Sequence, residues 1–452
     1  MKIVIIGDGK VGYKLAKQLS EENYDVVLVD NNAKKLKDTI NRLDIFCIAG
    51  DGVSADVQKE ADVPHADLVI ACASTDEVNM LSCLIAKRLG AKHTIARVRN
   101  PIYYEQIDIL REDLRLSMTI NPELTVANEI ARVLIFPSAS KVETFVKGRV
   151  ELVEVPVRAG NPMIGVTLAE VYKKMQIKIL VCAVQRGDVV YIPDGSFVAQ
   201  EGDKLHIASS HKELVEFFKA IGSKKTRIKK VIIGGCGRVG FYLAKRLCTM
   251  GMEVKVIEQR RDCCEELCEQ LPKVTVIHGD ATNHDLLIEE SVQEADAFIA
   301  LTGVDEENII TGLFAKTQGV NKIVAKVNED SRAKMVEGLG IDTIVSAKTT
   351  TADAIMSYVR ARQNSYTSAN VETMYRLVDD RVEALEFIIK EKTRYTGVPL
   401  KNLKLKRNNL IACIARNREI IIPSGNDYMQ VGDSVVIVTR DKKVQDIRDI
   451  LE

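Results

Sequence analysis

The stretch Ile3-Val4-Ile5-Ile6-Gly7-Asp8-Gly9-Lys10-Val11-Gly12 decides the reading of this chain. An apolar run of strand type ends in Gly-x-Gly-x-x-Gly. In the following Tyr13-Lys14-Leu15-Ala16-Lys17-Gln18-Leu19, the residues Leu15, Ala16 and Leu19 recur at helical spacing. The order is therefore strand, tight glycine turn, helix. The first glycine permits the sharp turn. The second lets a pyrophosphate approach the backbone, and the third lets the helix lie close on the strand. The helix N-terminus offers unpaired N–H groups and a positive dipole end to phosphates. A second apolar run, Val26-Val27-Leu28-Val29, ends in Asp30, eighteen residues past Gly12. A carboxylate there is expected to accept hydrogen bonds from the ribose of a dinucleotide.

A lone glycine pattern is weak, because glycine clusters also make ordinary turns. Here it comes with strand, helix and acid, and it comes twice. Val231-Ile232-Ile233-Gly234-Gly235-Cys236-Gly237-Arg238-Val239-Gly240 repeats it 228 positions later, with Glu258 again eighteen residues past the last glycine. A duplicated site can lose its ligand and keep its fold, so the structural reading of the second copy stays open.

The length of 452 residues predicts about three domains, with two to four reasonable. At 46% hydrophobic and 28% charged the composition is that of an ordinary soluble globular protein. Lysine plus arginine equals aspartate plus glutamate at 63 each, which gives no support to a dedicated nucleic-acid binder. Met1-Lys2 runs straight into the first strand, so no secretory leader is expected, and no apolar stretch reaches the roughly twenty residues of a membrane span. The ten cysteines contain no Cys-x-x-Cys and read as buried thiols of a reducing cytosol. Cys264 and Cys268 share a helix face beside Cys263; helix packing and a soft-metal or redox site are the two readings. The six histidines show no metal-ligand spacing, so no metal is expected.

Taken in order, residues 1–137 alternate strand and helix. Strands are expected at Ile45–Asp51, Ala66–Cys72, Thr94–Val98 and Leu116–Ile120, apolar on both faces as in a parallel sheet covered by helices. Ser74-Thr75-Asp76-Glu77 is a helix start, a hydroxyl cap followed by carboxylates, and Gly90 ends that helix. Asn121-Pro122-Glu123 opens another, ending near Phe136. Residues 141–221 change character: period-two alternation at Val150–Val157, strands at Ile179–Val184, Val189–Pro193 and Lys204–Ala208, and a closing helix from Glu213. Gly222–Lys230 reads as a basic linker, with contact to acidic lipid or an acidic partner as the other reading. The whole order then recurs, as residues 228–363 and 370–452. Gly279-Asp280 answers Gly50-Asp51, Asp305–Asn308 answers Asp76–Asn79, and Val431-Gly432-Asp433 answers Glu201-Gly202-Asp203. The fold class is α/β: two Rossmann-like, doubly wound parallel-sheet domains, each followed by a small α+β domain.

Other positions fall on the ligand edge of each sheet. Asp51 and Asp280 end the third strands, as adenine or ribose contacts or as turn and cap aspartates. Ala73-Ser74 and Thr302-Gly303 follow the fourth, where small residues let backbone approach a ligand. Arg97 on the fifth strand is placed to reach phosphate or to pair with a structural carboxylate; its counterpart Lys326 keeps the charge without the fork geometry. Asn31 and Asn32 supply no arginine for a ribose 2′-phosphate, which favours NAD over NADP, whereas Arg260 and Arg261 blur that preference in the second copy. No acid–base arrangement such as Tyr-x-x-x-Lys follows either unit, so catalysis is not expected.

Gly7–Gly12 with Asp30, Gly50-Asp51-Gly52, Ser74–Met80 and Ile95-Ala96-Arg97-Val98-Arg99, in duplicated order over essentially the whole chain, resemble the regulatory subunits of Trk potassium-uptake systems, the TrkA family. The resemblance implies two RCK (KTN) modules, each followed by a TrkA-C module. It implies a peripheral cytosolic protein on the inner face of the cell membrane, a homo-oligomer, expected to be a tetrameric ring, docked on a TrkH-like potassium-transporting membrane subunit. NAD, NADH or adenine nucleotides (ATP, ADP) would bind the RCK folds and change the ring's shape. Carried over by position, the contacts are Gly7 to Val11, Asp30, Ala73, Ser74 and Arg97; Ala73, where a hydroxyl residue is expected, and Lys326 depart from the pattern. The other readings are an NAD-dependent oxidoreductase and a regulator of a different cation channel or antiporter.

Overall fold

A computed structural model describes the chain except residues 146–148, 223–227, 337–338, 368–370, 379–380, 418, 442–443 and 445. The middle of the expected linker thus lies outside the described residues.

The first nucleotide-type domain runs β1 (Lys2–Ile6), α1 (Lys10–Glu21), β2 (Asp25–Asp30), α2 (Ala33–Ile40), β3 (Phe46–Ala49), α3 (Ala55–Glu60), β4 (Leu68–Ala71), α4 (Asp76–Leu89) and β5 (His93–Arg97). It ends with two short helices that the sequence reading missed, α5 (Pro101–Glu105) and α6 (Ile107–Asp113), then β6 (Met118–Ile120) and α7 (Pro122–Ile135). The first small module is β7 (Lys141–Phe145), β8 (Val150–Pro156), α8 (Leu168–Met175), β9 (Leu180–Arg186), β10 (Val189–Tyr191), β11 (Lys204–Ser209) and α9 (His211–Ala220).

The second copy repeats this as β12 (Lys230–Gly234), α10 (Arg238–Thr249), β13 (Glu253–Glu258), α11 (Arg261–Gln270), β14 (Thr275–His278), α12 (His284–Glu289), β15 (Ala297–Ala300) and α13 (Asp305–Thr317). Then come β16 (Lys322–Lys326), α14 (Asp330–Met335), β17 (Thr343–Val345) and α15 (Ala347–Thr367). The second small module has β18 (Val371–Leu377), β19 (Val382–Ile388), β20 (Asn409–Arg416), β21 (Glu419–Ile421) and β22 (Ser434–Thr439). Where α8 stands in the first module, the second has only a 3-10 turn, Leu400–Asn402.

Both large sheets are parallel and share one order, β3-β2-β1-β4-β5-β6 and β14-β13-β12-β15-β16-β17. The order reverses between β1 and β4, and between β12 and β15, which opens a crevice at the carboxyl ends of those strands. β1 and β4 are buried on both faces because helices cover them. The edge strand β3 departs from the expected double burial and leaves Phe46 76% exposed. The small-module sheets are antiparallel, as the period-two alternation requires.

Contacts divide the chain into two compact units that cut across the sequence order. One joins Met1–Ile130 with Lys230–Met356; the other joins Ala131–Lys229 with Ser357–Glu452. In the first unit the two nucleotide-type repeats touch: Tyr242 of α10 donates to the Arg99 carbonyl at 3.3 Å, and Thr350 of α15 donates to Glu129 of α7 at 2.9 Å. In the second unit the two small sheets pack apolar face to apolar face, with Leu152, Cys182 and Ala208 against Ala384, Cys413 and Val436. In α11, Cys264 is buried and its thiol donates to the Glu258 carbonyl, while Cys268 is exposed.

Candidate functional site

Each glycine loop sits at the reversal point of its sheet. Gly7 has φ +107°, and a Cβ on it would lie 2.7 Å from the Ala73 amide nitrogen; a Cβ on Gly12 would lie 1.9 Å from the Gly7 carbonyl oxygen. These two glycines are demanded by the turn and by the packing of α1 on β1. Gly9 is different. Its φ of −78° is open to any residue, and the nearest atom to a Cβ there, the Cys72 carbonyl oxygen, is 3.9 Å away. The second loop repeats the distinction. Gly235 has φ +90°, and a Cβ on Gly240 would lie 2.9 Å from the Gly235 oxygen, but one on Gly237 would meet nothing within 4 Å. Nothing inside the folded chain requires glycine at Gly9 or Gly237.

Those two glycines are the N-caps of α1 and α10. Neither helix has a side-chain cap or an acidic residue in its first turn. Beside them, α4 is capped by Thr75 and carries Asp76 and Glu77. Free N–H groups therefore remain where the dipole is positive.

The acids ending β2 and β13 are brought to the loops. Asp30 accepts from the Asp8 amide at 2.6 Å and the Asn32 amide at 2.8 Å. Glu258 accepts from the Cys236 amide at 2.7 Å and the Arg260 amide at 2.9 Å, and also from the Arg260 side chain at 3.2 Å. Glu258 is buried beneath that guanidinium, whereas Asp30 is half-exposed. Arg261 turns away to Glu265. Asp8, Val11, Cys236 and Val239 are buried, whereas Lys10 and Arg238 are exposed. Asp8 takes the Thr39 hydroxyl at 2.7 Å, and burial pushes its carboxyl above the ordinary range.

Asp51 and Asp280 are exposed and form turns, accepting from the Val53 amide and from the Thr282 amide and hydroxyl respectively. The Arg97 guanidinium donates to the Ala73 carbonyl. Lys326 does the same for its repeat, donating to the Leu301 carbonyl at 3.1 Å. Burial lowers the pKa of both cations. Ser74 is exposed, its carbonyl accepting from Arg99 at 3.0 Å, and Thr302 bonds Val304 and Glu307.

The sequence reading missed what holds these loops. Buried Asn79 accepts from the Ala73 amide at 2.7 Å and donates to the Arg97 carbonyl at 3.0 Å; Asn308 does likewise with Thr302 at 2.7 Å and Lys326 at 2.9 Å. Asp76 takes the Arg99 and Asn100 amides, and Asp305 those of Asn328 and Glu329. Their recurrence at one spacing in both repeats was the available signal.

Comparison with known proteins agrees with this layout. The TrkA-N domain model matches residues 3–122 and 231–347, and the TrkA-C domain model matches 152–222 and 384–452. A Trk system potassium uptake protein TrkA homolog of Archaeoglobus fulgidus is 33% identical over 451 residues, covering 100% of both chains. This chain belongs to the TrkA family. A second relative, TrkA homolog 1 of Methanosarcina mazei, is 33% identical over 97% of each chain, and TrkA of Vibrio alginolyticus is 30% identical over 100% of this chain and 99% of its own. Among solved structures, the GsuK RCK domain aligns over 97% of this chain and 92% of its own at TM-score 0.64 and 20% identity. The GsuK channel bound to NAD aligns over 97% and 76% at TM-score 0.66 and 19% identity. At such identity these structures share the fold: tandem Rossmann-like sheets, each with its TrkA-C module. No described helix of the TrkA-family chain is long and apolar enough to cross a membrane.

Proposed function

We propose that the chain is the peripheral regulatory subunit of a Trk-type potassium uptake system, and that NAD(H) or an adenine nucleotide bound at the glycine loops shifts the conformation through which it gates a membrane potassium transporter. One observation carries the ligand part. Gly9 and Gly237 need not be glycine for the fold, yet both stand at uncapped helix starts beside an acid that ends the second strand. Phosphate approaching those N–H groups is the requirement that glycine meets. The relatives' naming and the NAD-bound and ADP-bound GsuK structures support the same reading. The site residues are Gly7–Gly12, Asp30, Asp51, Ala73, Ser74 and Arg97, with Gly235–Gly240, Glu258, Asp280, Thr302 and Lys326 in the second copy.

The protein works as a sensor rather than a catalyst in this reading, at the inner face of the membrane and as a homo-oligomer. Its domain limits are 1–137, 141–221, 228–363 and 370–452. The shift passes through α7 and α15, which leave the nucleotide domains for the small modules. A ligand shifts such an equilibrium only by its difference in affinity for the two states. The test is potassium flux through the reconstituted transporter with added nucleotide. Asp30→Ala with Glu258→Ala is expected to abolish the nucleotide dependence; a folded double variant with unchanged dependence refutes the proposal.

A further inference from the structure

We infer that each glycine loop acts on the exit helix of the other repeat: Lys14 and Tyr242 are positioning residues that tie the phosphate-binding helices α1 and α10 to the first turns of α15 and α7. The inference rests on the nucleotide-binding reading above and adds which site drives which small module.

Lys14 and Tyr242 hold the same place in α1 and α10, one turn beyond the glycine N-caps. Both reach into the other repeat. The Lys14 ammonium donates to the Thr349 hydroxyl, in the first turn of α15, at 2.7 Å. The Tyr242 hydroxyl donates to the Arg99 carbonyl at 3.3 Å and accepts from the Asn121 side chain at 3.0 Å. Asn121 stands just before α7, and its side-chain oxygen takes the Leu124 amide at 2.9 Å, so it caps that helix. Tyr242 is 9% exposed and Asn121 2%, so a buried donor would be stranded if the pair came apart. The two exit helices also meet, through Thr350 and Glu129 at 2.9 Å.

The route within one repeat is longer. β1 lies three strands from β6, and β12 three strands from β17. At about 4.8 Å per step, roughly 14 Å separates the strand that carries the loop from the strand that feeds the exit helix of the same repeat. Across the repeats the link is a direct hydrogen bond. The boundary between the two compact units falls inside both exit helices, after Ile130 in α7 and after Met356 in α15. Each helix thus begins in the nucleotide unit and ends in the unit of small modules. A ligand that moves α10 acts on the cap of α7, and one that moves α1 acts on the first turn of α15.

The test is hydrogen exchange, read by mass spectrometry on the full chain with NADH. Gly237→Ala, at an NADH concentration that fills the intact first loop, should show changed exchange at residues 347–356 and none at 122–130. Gly9→Ala should show the reverse. The change expected is about fivefold or more. Tyr242→Phe should keep two NADH per chain and the response of α15 but lose the response of α7. Asn121→Ser should do the same: it keeps a capping hydroxyl, as Ser346 does before α15, and removes the amide that bonds Tyr242. A merely structural role for Tyr242 would alter α7 equally with and without NADH. Each loop changing the exit helix of its own repeat overturns the inference, as do equal responses of both helices to either loop, no response with NADH bound, or a full α7 response in Asn121→Ser. A wild-type chain that binds no NADH, ADP or ATP refutes the nucleotide reading and this step with it; NADH bound with any of the contrary patterns refutes only this step.

Discussion

Replacing Gly9 with alanine separates what the fold needs from what a ligand needs. A Cβ at Gly9 meets nothing nearer than 3.9 Å, and φ is −78°, so the folded chain accepts it without strain. Two small effects oppose each other. Restricting the unfolded chain stabilises by about 0.4–1 kcal/mol. Alanine is a poorer N-cap than glycine by roughly 0.5–1 kcal/mol. The net change in stability is therefore within about 1 kcal/mol of zero. A phosphate held at the first turn of α1 is affected far more, because the methyl group keeps it from the N–H groups. Loss of one hydrogen bond to a charged group costs about 1.5–3 kcal/mol, or roughly tenfold to a hundredfold in affinity. Gly12→Ala is the contrasting case: its Cβ would sit 1.9 Å from the Gly7 oxygen, so it should destabilise by about 1–3 kcal/mol or more. The assay is thermal melting by circular dichroism alongside NADH fluorescence titration. An unchanged melting curve with unchanged NADH affinity in Gly9→Ala would refute the reasoning. Affinity falling only in step with stability would refute it as well.

Other outcomes follow from the same geometry. Asn79→Ala removes the bonds that tie Ala73 to Arg97 and should cost about 2 kcal/mol in denaturant melting, with Asn308→Ala costing about the same; no loss for either would show that the loops hold without them. Burial raises the Asp8 carboxyl, so the folded form binds its proton more tightly than the unfolded one, and this stabilisation, present at acid pH, is lost as pH rises through the raised value. Asp8→Asn should therefore gain stability relative to wild type between about pH 4 and 7; parallel pH profiles would contradict the assignment. In the small module, Arg186 donates to fully buried Asp203 at 2.7 and 2.8 Å, so Arg186→Ala should destabilise by about 2 kcal/mol, and Arg186→Lys, lacking the fork, should restore little of it. Equal melting of all three proteins would sink that claim.

The glycine loops, the acids ending β2 and β13, and the tandem order were legible because each is a local pattern with a fixed period. The cap at Thr75 and the stop at Gly90 were legible for the same reason. Helix α8 was missed although Thr167 and Glu170 form a capping box, because the turn glycines before it drew the reading toward a loop. Helices α5 and α6 are too short to show a period. The bond from the Arg97 guanidinium to the Ala73 carbonyl of the adjoining loop is one that no spacing in the sequence reveals. The pairing of repeat with repeat was equally hidden. Contacts such as Tyr242 with Asn121 join residues 121 positions apart, and nothing local encodes them.

The most direct test of the account is the number of NADH molecules that the purified chain holds, measured by fluorescence titration while absorbance at the NADH band is followed. The account predicts saturable binding near two per chain, reduced by half in Gly9→Ala or in Gly237→Ala, with the absorbance constant and with ADP or ATP competing. Steady oxidation of NADH, or no binding of any of these nucleotides, would contradict it.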